Sequence, residues 1–116
     1  MPHDPDLIRL RHMWEAAREA VGYAALRSRQ DLDADRPLQH SLVRPLQIIG
    51  EAAGTVSEPF RAKHPEIPWR AMVGMRNRLV HAYFDVDLDV VWRTVKEELP
   101  ELIAQIEPIL KTAALL

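Results

Sequence analysis

The amino-acid sequence predicts an all-α protein, an antiparallel up-and-down bundle of four or five helices in one domain over residues 1–116, on three observations. Apolar residues recur at threes and fours over long stretches, the period of an amphipathic helix. No alternating strand-like run and no internal repeat breaks that pattern. A chain of 116 residues with 47% hydrophobic content also suits one core that needs neither metal nor disulfide.

The elements follow in order. Leu7, Leu10, Met13, Trp14, Ala17, Val21 and Ala24 share one face of a first helix from Pro5 to about Arg27. "SRQDLDADRP" is polar, carries a proline and reads as a connection. The second helix runs through "LQHSLVRPLQIIGEAAGTVS", with Leu42, Val43, Leu46, Ile49, Ala53 and Val56 on one face. Pro45 lies inside it, so a kink or a later start is expected, because an interior proline removes a hydrogen bond and clashes with the preceding turn. "EPFRAKHPEIPWR", with three prolines, reads as a loop with at most a short helical turn, and Pro68 is placed to open the third long helix. That helix is expected to reach His81 or Tyr83. Asp85 or Asp87 can then cap a last helix through Val90, Val91, Val95 and Leu99, and Pro100 can kink it or start a new segment before Leu102, Ile103, Ile106, Ile109 and Leu110.

Composition narrows the function. Cysteine is absent, which excludes a disulfide scaffold, a thiol nucleophile and a Cys-based zinc site, and sits most easily with a reducing cytoplasm. The N-terminus has no basic segment leading into an apolar run, and no window approaches a membrane span, so a soluble, cytoplasmic protein without membrane contact is expected. A net charge of −2 argues against broad adhesion to duplex nucleic acid, yet 12 of the 15 basic residues are arginine, the side chain whose planar fork matches phosphate. "DVDLD" fails as a calcium loop because Val90 and Lys96 stand where glycine and glutamate are needed. The five histidines show no metal-binding spacing, and no phosphate-binding glycine loop occurs. Gly50 and Gly54, four apart, permit close helix packing.

The chemistry concentrates in "MRNRLVHAYFDVDLDVVW", Met75 to Trp92. On a wheel of residues 69–84, Trp69, Met72, Val73, Met75, Leu79, Val80, Tyr83 and Phe84 form one apolar arc, and Arg76 falls near its middle while Arg70 and Arg78 fall outside. An unpaired charge taken out of water costs several kcal/mol, so Arg76 needs a buried acid, a carbonyl cluster or a cleft open to an anion. Glu51 is a candidate partner by type, although it points away from the apolar face of its own helix. Arg76 can equally line a groove between two protomers. His81 lies roughly 140° round the helix from Arg76, and Tyr83 almost beneath it.

Taken together, "RNRLVHAY" resembles the Arg-x4-His-x-Tyr signature of the HepT-like branch of the HEPN superfamily, small helical proteins that include ribonuclease toxins. "IIGEAA" at 48–53, "HPEIPWRAMVGMRNRLVHAYFDVDLDVVW" at 64–92 and "LPEL" at 99–102 resemble that family in order and spacing. One departure is Pro45, where the family usually has asparagine. The resemblance implies metal-independent endoribonuclease activity, with RNA as substrate and no cofactor, in a homodimer that brings two copies of the motif into one cleft. It implies catalytic roles for Arg76, Asn77 and His81; Glu51, the candidate partner by residue type, is the expected supporting group. It also implies a toxin of a type VII-like toxin–antitoxin pair, neutralised by a minimal nucleotidyltransferase antitoxin that transfers AMP to Tyr83. The competing reading is a non-catalytic helical dimer that binds a nucleotide or a partner protein through Arg76 and His81.

Overall fold

The computed structural model describes residues 4–82 and 85–116, and for residues 80–82 the backbone. The expected all-α architecture holds. Four main helical segments, α1 (Pro5–Ala24), α3 (Arg36–Thr55), α5 (Trp69–Arg78) and the run from α6 (Leu88–Arg93) to α7 (Leu99–Thr112), enclose one core. Two short helices, α2 (Arg29–Ala34) and α4 (Glu58–Lys63), sit in connections. A two-stranded hairpin, β1 (Val80–Ala82) with β2 (Asp85–Val86), joins α5 to α6.

Helix α1 buries Leu10, Met13, Ala17, Ala20 and Ala24 against α3, which buries Leu42, Leu46, Ile49 and Ala53 in return. Alanines on this face let the two helices approach. Helix α7 closes the other side of α1 with Leu102, Ile106 and Leu110, and the Trp14 indole N–H donates to Glu107 Oε2 at 3.1 Å across that joint. Removing this apolar surface from water at about 25 cal/mol per Å² is the main stabilising term.

Two connections are more ordered than the sequence suggests. Within "SRQDLDADRP", Ser28 and Asp31 form a capping box in which each side chain accepts the other's backbone N–H, and this nucleates α2. The six-residue α4 is capped by Ser57, whose backbone N–H and hydroxyl donate to Asp6 of α1 at 2.8 and 2.5 Å. A polar segment therefore becomes helical where a cap satisfies its first N–H groups, a signal that hydrophobic periodicity does not carry.

Three prolines meet different fates. Pro45 is buried in α3, and the helix starts at Arg36 and continues past it to Thr55, so the later start does not occur. Pro68 N-caps α5, close to its expected place. Pro100 follows a π-helical turn, Thr94–Glu98, that joins α6 to α7 without a break in the helical run. A wider turn suits a position where proline supplies no N–H to the preceding turn.

The largest departure from expectation is at the end of α5. The helix stops at Arg78 rather than at His81 or Tyr83, and the backbone turns into the hairpin, with Val80 opposite Val86 and Ala82 opposite Asp85. The Asp87 N–H donates to the Leu79 carbonyl at 2.7 Å and fastens the hairpin's base. Asp87, one of the two expected caps, then accepts the N–H groups of Asp89 and Val90 to start α6. Tyr83 and Phe84 lie outside the described residues.

Asp35 caps α3 by accepting the Leu38 N–H, and Arg27 donates to it at 2.7 Å. The hydrogen bond from Arg27, then that from Leu38, holds its pKa below the ordinary 3.8. For Asp6, burial pulls upward but is outweighed by the bonds from Ser57, and its pKa is also lowered. A depressed folded-state pKa gives a contribution fully present above the unfolded value and lost as pH falls through the folded one. Melting temperature should therefore fall on acidification below the ordinary aspartate range, and Asp35→Asn, which keeps a capping side chain, should show a shallower fall. Identical acid slopes for wild type and variant would refute the assignment to Asp35.

Candidate active site

The site is built at the crossing of α3 and α5. The two helices run antiparallel here, with Gly54 facing Val73 and Gly50 facing Arg76. A Cβ on Gly50 would overlap the Cβ of Arg76 and come within 2.9 Å of its Cγ and Cδ. The aliphatic stem of Arg76 thus lies directly on the α3 backbone. At Gly54 a Cβ would meet only Val73 Cγ2 at 3.6 Å, an ordinary contact.

The wheel correctly turned Arg76 towards the core side of its helix, between buried Met72 and Met75 and half-buried Val73. Burial of the charge does not follow. Arg76 is exposed, because a long side chain can press its methylenes on a neighbour while its head stays in water. Its position in the last turn of α5, with Arg78, also favours a cation beside the free carbonyl end of the helix.

Among the described residues Arg76 has no hydrogen-bonding or ion-pair partner. The buried ion pair considered from sequence is not formed. Glu51 is exposed and lines a hollow between α1 and α3 with Arg9, His12 and Ile48, away from the Arg76 contact. Within one chain it does not act as partner to that guanidinium. Asn77, next to Arg76, is exposed on the same final turn.

His81 lies in β1 rather than on the helix, so the angle of roughly 140° from Arg76 does not apply. The hairpin returns the chain from the end of α5 to the start of α6, keeping the His81 backbone three residues beyond that helix. The structure thus puts Arg76 and Asn77 together, adds the backbone of His81 nearby in sequence, and leaves Tyr83 outside the described residues. No group of three or more potential metal-ligating side chains occurs among the described residues.

A free guanidinium held by its stem can receive a phosphate through two parallel N–H···O bonds. Comparison with known proteins agrees with that chemistry. A family model described as "Ribonuclease HepT-like" matches residues 13–109. A "Probable ribonuclease HepT" of Thermococcus cleftensis is 46% identical over 82 residues, covering 71% of this chain and 74% of that protein. A "Putative RNase" of Caldanaerobacter subterraneus subsp. tengcongensis is 42% identical over 82 residues, 71% of this chain and 73% of its own length. Another "Putative RNase", from Methanocaldococcus jannaschii, is 33% identical over 93 residues, 80% of this chain and 85% of its own. No solved structure is significantly similar to the chain. The chain belongs to the HepT-like ribonuclease family of the HEPN superfamily.

The spacing of Gly50 and Gly54 permits close helix packing but does not identify what Gly50 packs against. Arg76 is that partner, and the pairing gives a sharp contrast between two glycines. Gly50→Ala should cost about 1–3 kcal/mol by overpacking, whereas Gly54→Ala should be neutral or slightly stabilising because alanine favours the helix. Chemical denaturation of both variants measures this, and equal effects would show that the Arg76 contact is not limiting.

Proposed function

We propose that the protein is a metal-independent endoribonuclease whose cleft forms between two copies of the chain, with Arg76, Asn77 and His81 as its catalytic residues. The observation that carries this reading is Arg76, exposed and without a hydrogen-bonding or ion-pair partner among the described residues, its stem seated on Gly50. Membership of a ribonuclease family supports the reaction class.

The reaction needs three things. The ribose 2′-hydroxyl attacks the adjacent phosphorus while a base takes its proton, a cation steadies the charge gathering on the phosphorane oxygens, and an acid protonates the departing 5′-oxygen. Histidine, with an ordinary pKa of about 6.5, serves either proton transfer near neutral pH. Arg76 supplies the fixed cation, and a rigid stem matters because stabilisation of this kind works only when aimed in advance. Asn77 is a neutral donor that orients the scissile group or His81.

One chain brings one His81 to a reaction that uses both a base and an acid. A two-fold dimer doubles the histidine and the arginine in one groove. In this reading His81→Ala abolishes RNA cleavage with the dimer intact by sedimentation, Arg76→Ala lowers turnover by about 10²–10³, and EDTA leaves the wild type active. Strong inhibition by EDTA contradicts the metal-free mechanism.

The biological role in this proposal is that of a toxin in a type VII-like toxin–antitoxin pair, acting in the cytoplasm. Its antitoxin is a minimal nucleotidyltransferase that transfers AMP to Tyr83. A phosphodiester attached two residues from His81 brings negative charge towards Arg76 and competes with the RNA phosphate for it. Co-expression with the partner should then give an AMP-sized mass increase that is absent from Tyr83→Phe, together with loss of cleavage. An unmodified but inhibited protein would instead indicate inhibition by binding alone.

A further inference from the structure

The amino-terminal half of α3 carries a polar stripe that the fold leaves open. At 100° per residue, Arg36, His40, Arg44 and Gln47 fall within an arc of about 80°. Arg36, His40 and Arg44 are exposed and Gln47 is half-buried. The four line an open hollow of about 610 Å³, opposite the end of α2 and the stretch where the hairpin leads into α6. None of the three basic side chains has a hydrogen-bonding or ion-pair partner among the described residues.

This stripe runs along α3 towards the crossing that holds Arg76, which lies outside the hollow itself. Further along α3, α5 covers the helix through Gly54 and Gly50, and α5 ends two residues beyond Arg76. The stripe therefore opens where α5 stops, with Arg76 at its head. Arg44 lies about 9 Å along the axis from Gly50, and successive basic residues are spaced by about 6 Å. An extended single strand presents one phosphate per nucleotide at a comparable repeat.

The charges are also arranged to choose a side. Asp33 on the facing wall is neutralised by Arg29 at 2.6 Å, and Asp85 stands on the hairpin across from α3. A polyanion in the hollow is repelled from the hairpin wall and drawn to the arginines. Arginine binds phosphate in bidentate fashion, and the Gln47 amide can bond a phosphate or a base edge.

We infer that a single-stranded RNA substrate leaves Arg76 along α3 and lays its successive phosphates on Arg44, His40 and Arg36. The inference rests on the ribonuclease reading of Arg76 and adds to it the path and strandedness of the substrate.

The test compares His81→Ala protein, which should bind without cutting, with the same protein carrying Arg36→Gln and Arg44→Gln. Fluorescence anisotropy with a labelled oligouridylate of about 12 nucleotides should show binding weakened at least tenfold, and a salt dependence shallower by between one and two phosphate contacts. In the His81-containing background the two glutamines should raise KM far more for that oligonucleotide than for a dinucleotide too short to reach Arg44. Unchanged binding with an unchanged salt slope would overturn the inference, as would equal KM changes for both substrates. Equally tight, arginine-dependent binding of a polyaspartate peptide would also overturn it and mark the stripe as a protein-docking face. Should the wild type cleave no RNA, the ribonuclease reading fails, and the anisotropy comparison still decides whether the stripe binds a strand.

Discussion

The contact between Gly50 and the stem of Arg76 is the constraint on which the rest of the site depends. A helix backbone normally stands behind a layer of side chains, which would hold an arginine stem away from it. With no Cβ at Gly50, the methylenes of Arg76 rest on the α3 backbone, and only the guanidinium extends into water. The arrangement separates two demands that conflict in most sites. The stem is held by packing, which limits the rotamers open to it, while the charge avoids the desolvation that a buried site would impose.

The rest of the fold serves that crossing. Helix α3 is anchored by α1 on one face and capped by Asp35 at its start, so its backbone offers a stable seat. Helix α5 is short, ten residues, and ends where the seat is, which leaves Arg76 and Asn77 at a helix terminus rather than mid-helix. The hairpin and the Asp87 cap then turn the chain within a few residues and launch α6. Each device is local, and the His81 backbone lies in β1, three residues beyond the helix that carries Arg76.

Polar chain around this frame is ordered by caps rather than by burial. The Ser28–Asp31 box, Asp6 with Ser57 and Asp35 with Leu38 each join a carboxylate to a backbone N–H at a helix start, and the Arg27 guanidinium braces Asp35. These groups are largely solvated, so each contributes modestly, and their value lies in fixing where helices begin. The start of α3 in turn sets the phase of the Arg36, His40 and Arg44 stripe.

The sequence alone determined the helical class, the register of the apolar faces and a cap at Asp85 or Asp87, because these follow from short-range periodicity and local hydrogen-bonding chemistry; the structure chose Asp87. It also singled out Arg76, as a cation on an apolar arc, and the family motif around it. It could not say that α5 would stop at Arg78, because the apolar pattern that continues through Leu79 and Val80 suits a longer helix as readily as the strand that Val80 opens. Nor could it show that Arg76 would be exposed, that Glu51 would face α1, or that Pro45 would be carried within a continuous helix. Those outcomes were decided by which helix lies against which, since a side chain's surroundings depend on residues far away in the chain. Gly50 and Arg76 are 26 positions apart, and only the packing of α3 on α5 makes one the seat of the other.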